Sequence, residues 1–374
     1  MESNQADVII VGGGVIGLSV ARALSERGVG RVLLVERGAR AGMEASHAAG
    51  GMLAVQAEAD SADAFFELAR ASRELYAAWA ASLFEETGVD IELEETGTLY
   101  LAFTDEDERE LDRRYRWQVA AGLEVERLSA REARALEPAI SAHVRGALRF
   151  PRDVQVENRR LIKALLASLK KRGGQLLTGT QVEALSIERG RVRGVETSRG
   201  TIYAPAVVVA SGAWTSFLTG ADSRVPCVRI EPVRGQMLCF ESLNTAPRHV
   251  LYSPRGYVVP RLDGRLLAGS TTEHAGFEKR VTGAGVHSIM THALELAEEA
   301  FRAAPLVDAW SGLRPRADDE LPVIGACSLV HGLFYATGHY RNGILLAPIT
   351  GALIAEQLTT GSTRALLEAF SPDR

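Results

Sequence analysis

The stretch Val8-Ile9-Ile10-Val11-Gly12-Gly13-Gly14-Val15-Ile16-Gly17 decides the fold class of this chain. Its β-branched run, Val8–Val11, predicts a parallel strand that is buried on both faces. The apolar residues that follow recur at helical spacing as far as Gly28, where a helix would end. A second apolar run, Val32–Val35, leads to Glu36. The order is therefore strand, glycine turn, helix, strand and acid, which is typical of a dinucleotide-binding unit.

Each part of this unit has a physical role in holding a dinucleotide. Gly12 permits the tight turn, Gly14 lets the backbone approach a pyrophosphate, and Gly17 lets the helix pack closely on the strand. The helix N-terminus offers free N–H groups and the positive end of its dipole to the phosphates. Glu36 would accept hydrogen bonds from ribose hydroxyls and would repel the extra phosphate of NADP. The fingerprint alone leaves NAD and FAD open.

Three later segments favour FAD. Ser46–Met52 is a run of mostly small residues that a flat ring system could approach closely. Val207–Trp214 and Tyr335–Asn342 are further strand-to-glycine turns that could reach the same ligand. Each turn taken alone is equally compatible with an ordinary sheet edge. Together with the fingerprint they indicate an adenine dinucleotide that carries a flavin.

The rest of the chain predicts a second unit inserted into the first. Amphipathic patterns predict helices from Phe65 to Thr87 and from Asp105 to Ala121, and shorter helices at 161–171, 294–303 and 345–358. Between Val228 and Gly269, strand-length runs follow one another without a helix, which predicts an antiparallel sheet.

We therefore expect an α/β and α+β fold, with a Rossmann-like FAD-binding domain that is discontinuous in sequence and an inserted antiparallel-sheet substrate-binding domain. The predicted bounds are 1–57, 143–223 and 315–374 for the first domain, and 58–142 and 224–314 for the second.

Composition excludes several classes of protein. The 374 residues suffice for two domains, and 46% hydrophobic with 24% charged residues is ordinary for a globular chain. The net charge of −5 gives no overall attraction to nucleic acid. Three cysteines, Cys227, Cys239 and Cys327, without C-x-x-C spacing argue against a disulfide framework, a zinc site or an iron–sulfur cluster. We expect no metal, no signal peptide, no membrane span and a cytoplasmic location.

Beyond the fingerprint, several sequence blocks occur in a recognisable order between about residues 7 and 358. They are Ser46–Met52, Pro232-Val233-Arg234-Gly235-Gln236, Gly256-Tyr257-Val258-Val259-Pro260-Arg261, Trp310-Ser311-Gly312-Leu313-Arg314-Pro315 and Gly338-His339-Tyr340-Arg341-Asn342-Gly343-Ile344-Leu345-Leu346-Ala347-Pro348. In these blocks the chain resembles the D-amino-acid-oxidase-like family of FAD-dependent oxidoreductases, and most closely the glycine oxidases of thiamine biosynthesis.

The resemblance implies roles for individual residues. Arg314 would pair with the substrate carboxylate, Tyr257 would add its hydroxyl to the same group, and Arg341 and Met52 would lie near the substrate and flavin. Simpler roles stay open: a surface ion pair for Arg314 with residues 318–320, sheet packing for Tyr257 and helix capping for Arg341. The expected FAD-binding residues are Gly12, Gly14, Val15, Ile16, Gly17, Glu36, Arg37, Ser46, Ala48, Ala49, Gly50, Gly51, Met52, Val182, Ser211, Gly212, Trp214, Arg314, His339, Arg341, Asn342, Gly343, Ile344 and Leu345.

The implied reaction is oxidative deamination of glycine, sarcosine and small D-amino acids. The Cα hydrogen would leave as hydride to flavin N5, so no general base is expected, and O2 would reoxidise the flavin to give H2O2. The resemblance also implies a homotetramer and a role in thiazole synthesis. Cysteine is missing from Leu313–Ala317, where related sarcosine oxidases attach their flavin, so we expect non-covalent FAD.

Two alternatives stay open at this stage. One is a D-amino-acid or D-hydroxyproline dehydrogenase that passes electrons to a quinone or carrier, and the other is a non-catalytic FAD-binding subunit of an amine-oxidising complex. The segments 253–256 and 270–273 also differ from the glycine oxidases. If Arg255 points into the substrate pocket, it would favour longer or acidic substrates.

Overall fold

The computed structural model describes residues 5–218, 228–242 and 246–374. The strands of this part of the chain are β1 Val8–Val11, β2 Val32–Val35, β3 Met52–Leu53, β4 Thr98–Ala102, β5 Glu126–Ser129, β6 Gly146–Phe150, β7 Val154–Gln155, β8 Gln175–Leu177, β9 Val182–Glu188, β10 Arg191–Thr197, β11 Gly200–Tyr203, β12 Ala206–Val209, β13 Ile230–Glu241, β14 Val250–Ser253, β15 Gly256–Pro260, β16 Arg265–Gly269, β17 Leu306–Ala317, β18 Val323–Ala326 and β19 Leu333–Thr337. Its helices are α1 Val15–Glu26, α2 Ala45–Ala48, α3 Val55–Glu58, α4 Ala64–Thr87, α5 Asp105–Ala120, α6 Ala130–Leu136, α7 Asn158–Lys171, α8 Gly283–Phe301 and α9 Gly343–Thr360, with 3-10 helices at Gly212–Phe217 and Ala365–Phe370.

A six-stranded sheet in the order β18-β19-β12-β1-β2-β8 carries the glycine fingerprint. Its central strand β1 pairs in parallel with β2 on one side and β12 on the other. Helices α1, α7 and α9 cover the face that holds Ile10, whereas strands β9 to β11 cover the face that holds Ile9. Both side chains are buried, which accounts for the uninterrupted β-branched run. The predicted Rossmann-like unit is confirmed.

A second sheet of eight strands runs in the order β17-β13-β16-β15-β14-β4-β6-β5. Every neighbouring pair is antiparallel except β4 with β14, which are parallel. Alternation along β15 places Val258 in the core under α8 and Tyr257 on the opposite face. The predicted antiparallel sheet is therefore present, with one parallel pair between strands that are distant in sequence.

The predicted domain bounds stay a prediction, although two strands and one helix pair or pack across them. Strand β6 was assigned to the FAD-binding domain by the bound at 143, but it pairs with β4 and β5 in the eight-stranded sheet. Strand β17 passes the bound at 314 and pairs with β13 as far as Ala317. Helix α4, assigned to the substrate-binding domain, buries Leu68, Tyr76 and Leu83 in the same core as α1, α7 and α9. An amphipathic pattern shows which face is buried but not what covers it.

Helices α8 and α9 differ from what their sequences alone indicate. Helix α8 begins at Gly283, eleven positions before the predicted start at Leu294, because Thr282 caps its N-terminus through the Gly285 amide and the glycines there hide the helical pattern. Helix α9 has the length and hydropathy of a membrane span, yet 67% of its 18-residue stretch Gly343–Thr360 is buried inside the protein. It packs on α1 and α4, so core packing accounts for its apolar composition.

Candidate active site

A cavity of about 570 Å³ lies between the two sheets. Its walls include the turns that follow the carboxyl ends of β1, β2, β12 and β19, which is where ligands bind in open α/β sheets. The far end is closed by the cavity face of the eight-stranded sheet, through Met237, Tyr257 and Arg314. The two predicted units thus build one continuous site.

The glycine turn after β1 has no room for side chains. Gly12 has φ +110°, and a Cβ there would lie 2.4 Å from the carbonyl oxygen of Ala210. A Cβ on Gly17 would lie 2.0 Å from the carbonyl oxygen of Gly12, so its absence lets α1 pack against β1. Gly14 is the N-cap residue of helix α1 and brings no capping side chain, but the backbone amide of Val15 donates to the Ser46 hydroxyl at 3.0 Å. The positive end of the helix dipole still favours an anionic group at this turn.

Glu36, Arg37 and Trp214 form one end of the cavity. Glu36 accepts hydrogen bonds from the amides of Gly13 at 2.8 Å and Gly38 at 2.7 Å, which fixes its carboxylate beside the turn. The Arg37 guanidinium carbon lies 3.5 Å from the centroid of the Trp214 ring and the side chain pairs with Glu44 at 2.9 Å. A cation stacked on an aromatic ring gives this end a rigid, flat wall.

A buried arginine fixes the small-residue segment that crosses the cavity. Arg261 donates to the carbonyl oxygens of Gly50 at 2.7 Å and Val156 at 2.8 Å. Asn158 holds the preceding turn by donating to the carbonyl of Ser46 at 2.8 Å. Burial lowers the pKa of Arg261 to about 10, so the guanidinium is still charged at neutral pH. Ordered by these contacts, Gly50 and Gly51 present bare backbone to the cavity.

Arg314 is a half-buried cation at the far end of the cavity. Its Nη2 donates to the Ser270 hydroxyl at 2.6 Å and its Nη1 to the Thr271 carbonyl at 3.0 Å, and both acceptors are neutral. Among the described residues no carboxylate lies within ion-pair distance of it, whereas Arg316, two positions along the strand, pairs with Glu231 and Glu320. Residues 318–320 therefore do not neutralise Arg314, and its charge is available to a ligand.

Tyr257 and Arg341 line the same end. The Tyr257 hydroxyl donates to the sulfur of Met237 at 3.2 Å, and its ring stacks on Tyr252 at 6.3 Å. Arg341 lies 3.3 Å from the Glu58 carboxylate. The charge of Glu58 raises the pKa of Arg341 further above its ordinary value, so this side chain stays protonated.

His339 borders the cavity, but its imidazole is buried behind the wall. Its Nε2 lies 3.0 Å from the hydroxyl of Thr350 on α9. Burial lowers the pKa of His339 to about 3, so the ring is neutral at physiological pH. The side chain ties the turn to a helix and offers no acid–base function toward the cavity.

The structure brings nearly all the predicted site residues to one cavity. Only Gly17, which packs α1 on β1, and Leu345, which lies in the core of α9, are absent from its lining. That the remaining residues bind FAD or substrate stays a prediction. Sequence reasoning missed further lining residues: Glu44, Glu58, Thr180, Gln181, Gly235 and Met237. Gly235 could have been found, because it lies in one of the quoted blocks, and Met237 follows from strand alternation.

Arg255 corrects one expectation. Its guanidinium forms a double hydrogen bond with Asp107, at 3.0 and 2.9 Å, and a third with Glu295 at 2.8 Å. Asp107 lies at the start of α5 and Glu295 on α8, so Arg255 links two helices and is not part of the cavity lining. The idea that Arg255 selects acidic substrates was wrong, because two carboxylates already satisfy it.

The two cysteines of the described residues, Cys239 and Cys327, are buried and do not line the cavity. Cys227 lies outside the described residues. In the part of the chain that the structure describes, no group of three or more His, Cys, Asp or Glu side chains is arranged to hold a metal ion.

Comparison with known proteins places the chain among flavoenzymes. The profile of the family described as FAD dependent oxidoreductase matches residues 7–357. The chain belongs to this family. It is 38% identical over 375 residues to the glycine oxidase of Geobacillus kaustophilus, covering 100% of this chain and 98% of that relative. The crystal structure of glycine oxidase from that organism superposes with a TM-score of 0.93 at 36% identity, covering 99% of both chains. A bifunctional protein ThiO/ThiG of Nostoc sp. is 34% identical, covering 98% of this chain and 55% of that relative.

FAD, the cofactor of the family, fits the cavity on its own geometry. The positive end of the α1 dipole and the side-chain-free turn at Gly12 suit a pyrophosphate. Glu36 stands where a ribose would be bound. At the other end, the bare backbone of Gly50 and Gly51, the ring of Tyr257 and the guanidinium of Arg314 line the same cavity. When bound, FAD supplies a two-electron acceptor.

Proposed function

We propose that this chain is an FAD-dependent oxidase of glycine, sarcosine and small D-amino acids, with O2 as electron acceptor and H2O2, oxo acid and ammonia or amine as products. The observation that carries the proposal is the unneutralised guanidinium of Arg314 at the end of a cavity that fits FAD. The likeness to glycine oxidases supports the choice of substrate.

Within this proposal Arg314 binds the substrate carboxylate. A planar guanidinium can form two parallel hydrogen bonds with a carboxylate, which fixes orientation as well as position. Two of its five N–H groups are used by Ser270 and Thr271, so others remain for the substrate. The Tyr257 hydroxyl donates to the Met237 sulfur, a weak acceptor that a carboxylate oxygen could replace.

The remaining residues orient the substrate rather than exchange protons with it. Met52 and the Gly50–Gly51 backbone line the cavity with Tyr257, and we expect them to limit the substrate to small side chains. Arg341 is held by Glu58 and stays protonated. Since His339 is neutral and buried, the site is suited to an amine that binds as the free base and loses its Cα hydrogen as hydride. Orientation of this kind can supply a large part of the barrier reduction.

The proposal is tested by replacing the cation. We expect Arg314→Ala to raise KM for glycine by about 10- to 100-fold, because it removes a charge-assisted contact with the carboxylate. Arg316→Ala is the matched control, since Arg316 lies on the same strand but pairs with Glu231 and Glu320. Unchanged kinetics of Arg314→Ala would refute the assignment.

Substrate class and acceptor are checked together by an anaerobic titration. Glycine, sarcosine and a panel of D-amino acids should each bleach the flavin absorbance, and admission of air should restore it with one H2O2 per turnover. Bleaching without peroxide formation would instead indicate a dehydrogenase, and no bleaching by any amine would indicate a non-catalytic subunit.

Four finer statements belong to the same proposal. We propose a role in forming the thiazole of thiamine, a cytoplasmic location, a homotetrameric assembly and non-covalent FAD. The last is supported by the two cysteines that lie away from the cavity, and acid precipitation should leave the yellow chromophore in the supernatant.

A further inference from the structure

The segment 270–273 lies against Arg314. It follows β16 and returns beside β13, where the backbone of Glu273 exchanges hydrogen bonds with that of Arg234 at 2.9 and 3.0 Å. The Ser270 hydroxyl and the Thr271 carbonyl accept the two hydrogen bonds of Arg314 described above. The segment therefore supplies both acceptors that hold the Arg314 guanidinium.

Glycine at position 235 leaves room for the guanidinium of Arg314. Residue 235 is a diagonal neighbour of Arg314 across the β13–β17 pair, in which Val233 lies opposite Arg314. A Cβ on Gly235 would lie 2.3 to 2.4 Å from Nη1, Cζ and Nη2 of Arg314. The guanidinium thus occupies the space that any other side chain would take.

The Glu273 carboxylate holds segment 270–273 in place through its hydrogen bonds. Glu273 accepts hydrogen bonds from the side chains of Arg234, Thr271 and Gln236, the last at 2.6 Å. The Thr271 hydroxyl in turn accepts a hydrogen bond from the backbone amide of Gln236 at 3.0 Å. Although burial opposes it, these hydrogen bonds lower the pKa of Glu273, so the carboxylate stays charged and the network intact at neutral pH. Arg234 neutralises Glu273, which leaves the charge of Arg314 to the ligand.

We propose that Ser270 and Glu273 are positioning residues for substrate-carboxylate binding, with Ser270 orienting Arg314 directly and Glu273 holding the segment that carries the two acceptors. This inference rests on the proposed function, because it assumes that Arg314 binds a carboxylate. It assigns neither residue a contact with substrate.

The test uses acetate, a carboxylate without an amine, as a probe of the Arg314 contact in the FAD-loaded enzyme. Its Kd is measured by perturbation of the flavin spectrum, beside KM and kcat for glycine. We expect Ser270→Ala to raise both the acetate Kd and KM by about 3- to 10-fold with little change in kcat, because one hydrogen bond to a charged group is lost. Ser270→Thr, which keeps the hydroxyl, should stay near the wild-type values.

Further variants separate positioning from general damage. Glu273→Gln should shift both constants in the same direction, and Gly235→Ala should shift them further because its methyl group displaces the guanidinium. Ser61→Ala removes a hydroxyl that contacts the Asp63 carboxylate away from the cavity and should change nothing. A flavin spectrum like that of the wild type shows that each variant is folded and loaded.

The two hypotheses fail in different ways. If Arg314→Ala leaves the acetate Kd unchanged, the proposed function fails and this inference with it. If Arg314→Ala weakens acetate binding but Ser270→Ala, Glu273→Gln and Ser61→Ala all match the wild type, the proposed function stands and the positioning role is refuted. A fall in kcat with constant Kd would also refute it.

Discussion

At the scale of single residues, the buried imidazole of His339 links the site to stability in acid. Its folded-state pKa of about 3 lies below the ordinary 6.5 because burial disfavours the charged ring. Between these two values the unfolded chain binds a proton that the folded chain excludes, so the contribution of this residue is complete above pH 6.5 and is lost as the pH falls.

We therefore predict that His339→Gln makes the protein less sensitive to acid. With saturating FAD, the free energy of unfolding in urea should fall between pH 7 and pH 5 by about 1 to 2 kcal/mol less in the variant than in the wild type. The amide of glutamine can still bond with Thr350. His287→Gln, at an exposed position on α8, should behave like the wild type. Equal pH slopes in all three proteins would contradict the prediction.

Arginines show where sequence reasoning about single residues ends. Arg255, Arg314 and Arg316 all lie within or directly beside the quoted blocks, and no local pattern distinguishes them. Their roles depend on which carboxylates the fold places nearby: Asp107 and Glu295 satisfy Arg255, Glu231 and Glu320 satisfy Arg316, and Arg314 has only neutral acceptors. Family resemblance singled out Arg314. Its hydrogen bond to Ser270 and its close packing against Gly235 are visible only in the tertiary structure.

At the scale of elements, the crossing of α1 and α9 places the dinucleotide-binding turn. The two helices approach closely at Gly351, where a Cβ would lie 2.7 Å from the carbonyl oxygen of Ser19. Helix α1 carries the glycine fingerprint at its N-terminus, so any displacement of this helix moves the cofactor site. Small residues at such a crossing are therefore required by packing rather than by a ligand.

We predict that Gly351→Ala destabilises the protein by about 1 to 3 kcal/mol, because the added methyl group overpacks the crossing. The midpoint of urea unfolding measures this, and the Kd for FAD should rise in parallel. Gly283→Ala is the control, since a Cβ there meets nothing within 4 Å at the first position of α8. If both variants unfold at the same urea concentration, the crossing is more tolerant than its geometry indicates.

Elements with a clear local signal were predicted from the sequence, and others were not. The strands of the six-stranded sheet that flank the fingerprint are continuous apolar runs, and α4 and α5 are long amphipathic patterns, so each matched its prediction closely. Strands β4, β6 and β17 were missed because their signal is weaker than their pairing: β6 lies between β4 and β5 and is stabilised by contacts distant in sequence. Such long-range pairing is set by the whole sheet.

At the scale of the whole molecule, a segment of the eight-stranded unit crosses to the six-stranded unit at the cavity. Residues 270–282 connect β16 to α8, and the part after Glu273, residues 274–282, forms neither helix nor strand. From this segment, Phe277 packs on Trp214 and Phe217 with ring centroids 5.5 and 5.2 Å apart. Lys279 pairs with Glu44 at 2.8 Å. The three residues that this segment contacts, Trp214, Phe217 and Glu44, all line the cavity. The segment therefore bridges the two units beside the cofactor site.

We predict that this bridge slows the escape of FAD. Phe277→Ala should speed FAD dissociation about 2- to 10-fold, because the ring packs on the wall formed by Trp214. Lys279→Ala should have a smaller effect that disappears at high salt, since an exposed ion pair contributes at most about 1 kcal/mol and is screened. The rate is measured by the rise of flavin fluorescence after dilution. Arg280→Ala is the control, because Arg280 is 83% exposed and pairs with its neighbour Glu278. Should Phe277→Ala release FAD no faster than Arg280→Ala, the segment does not retain the cofactor, and the cavity walls alone must do so.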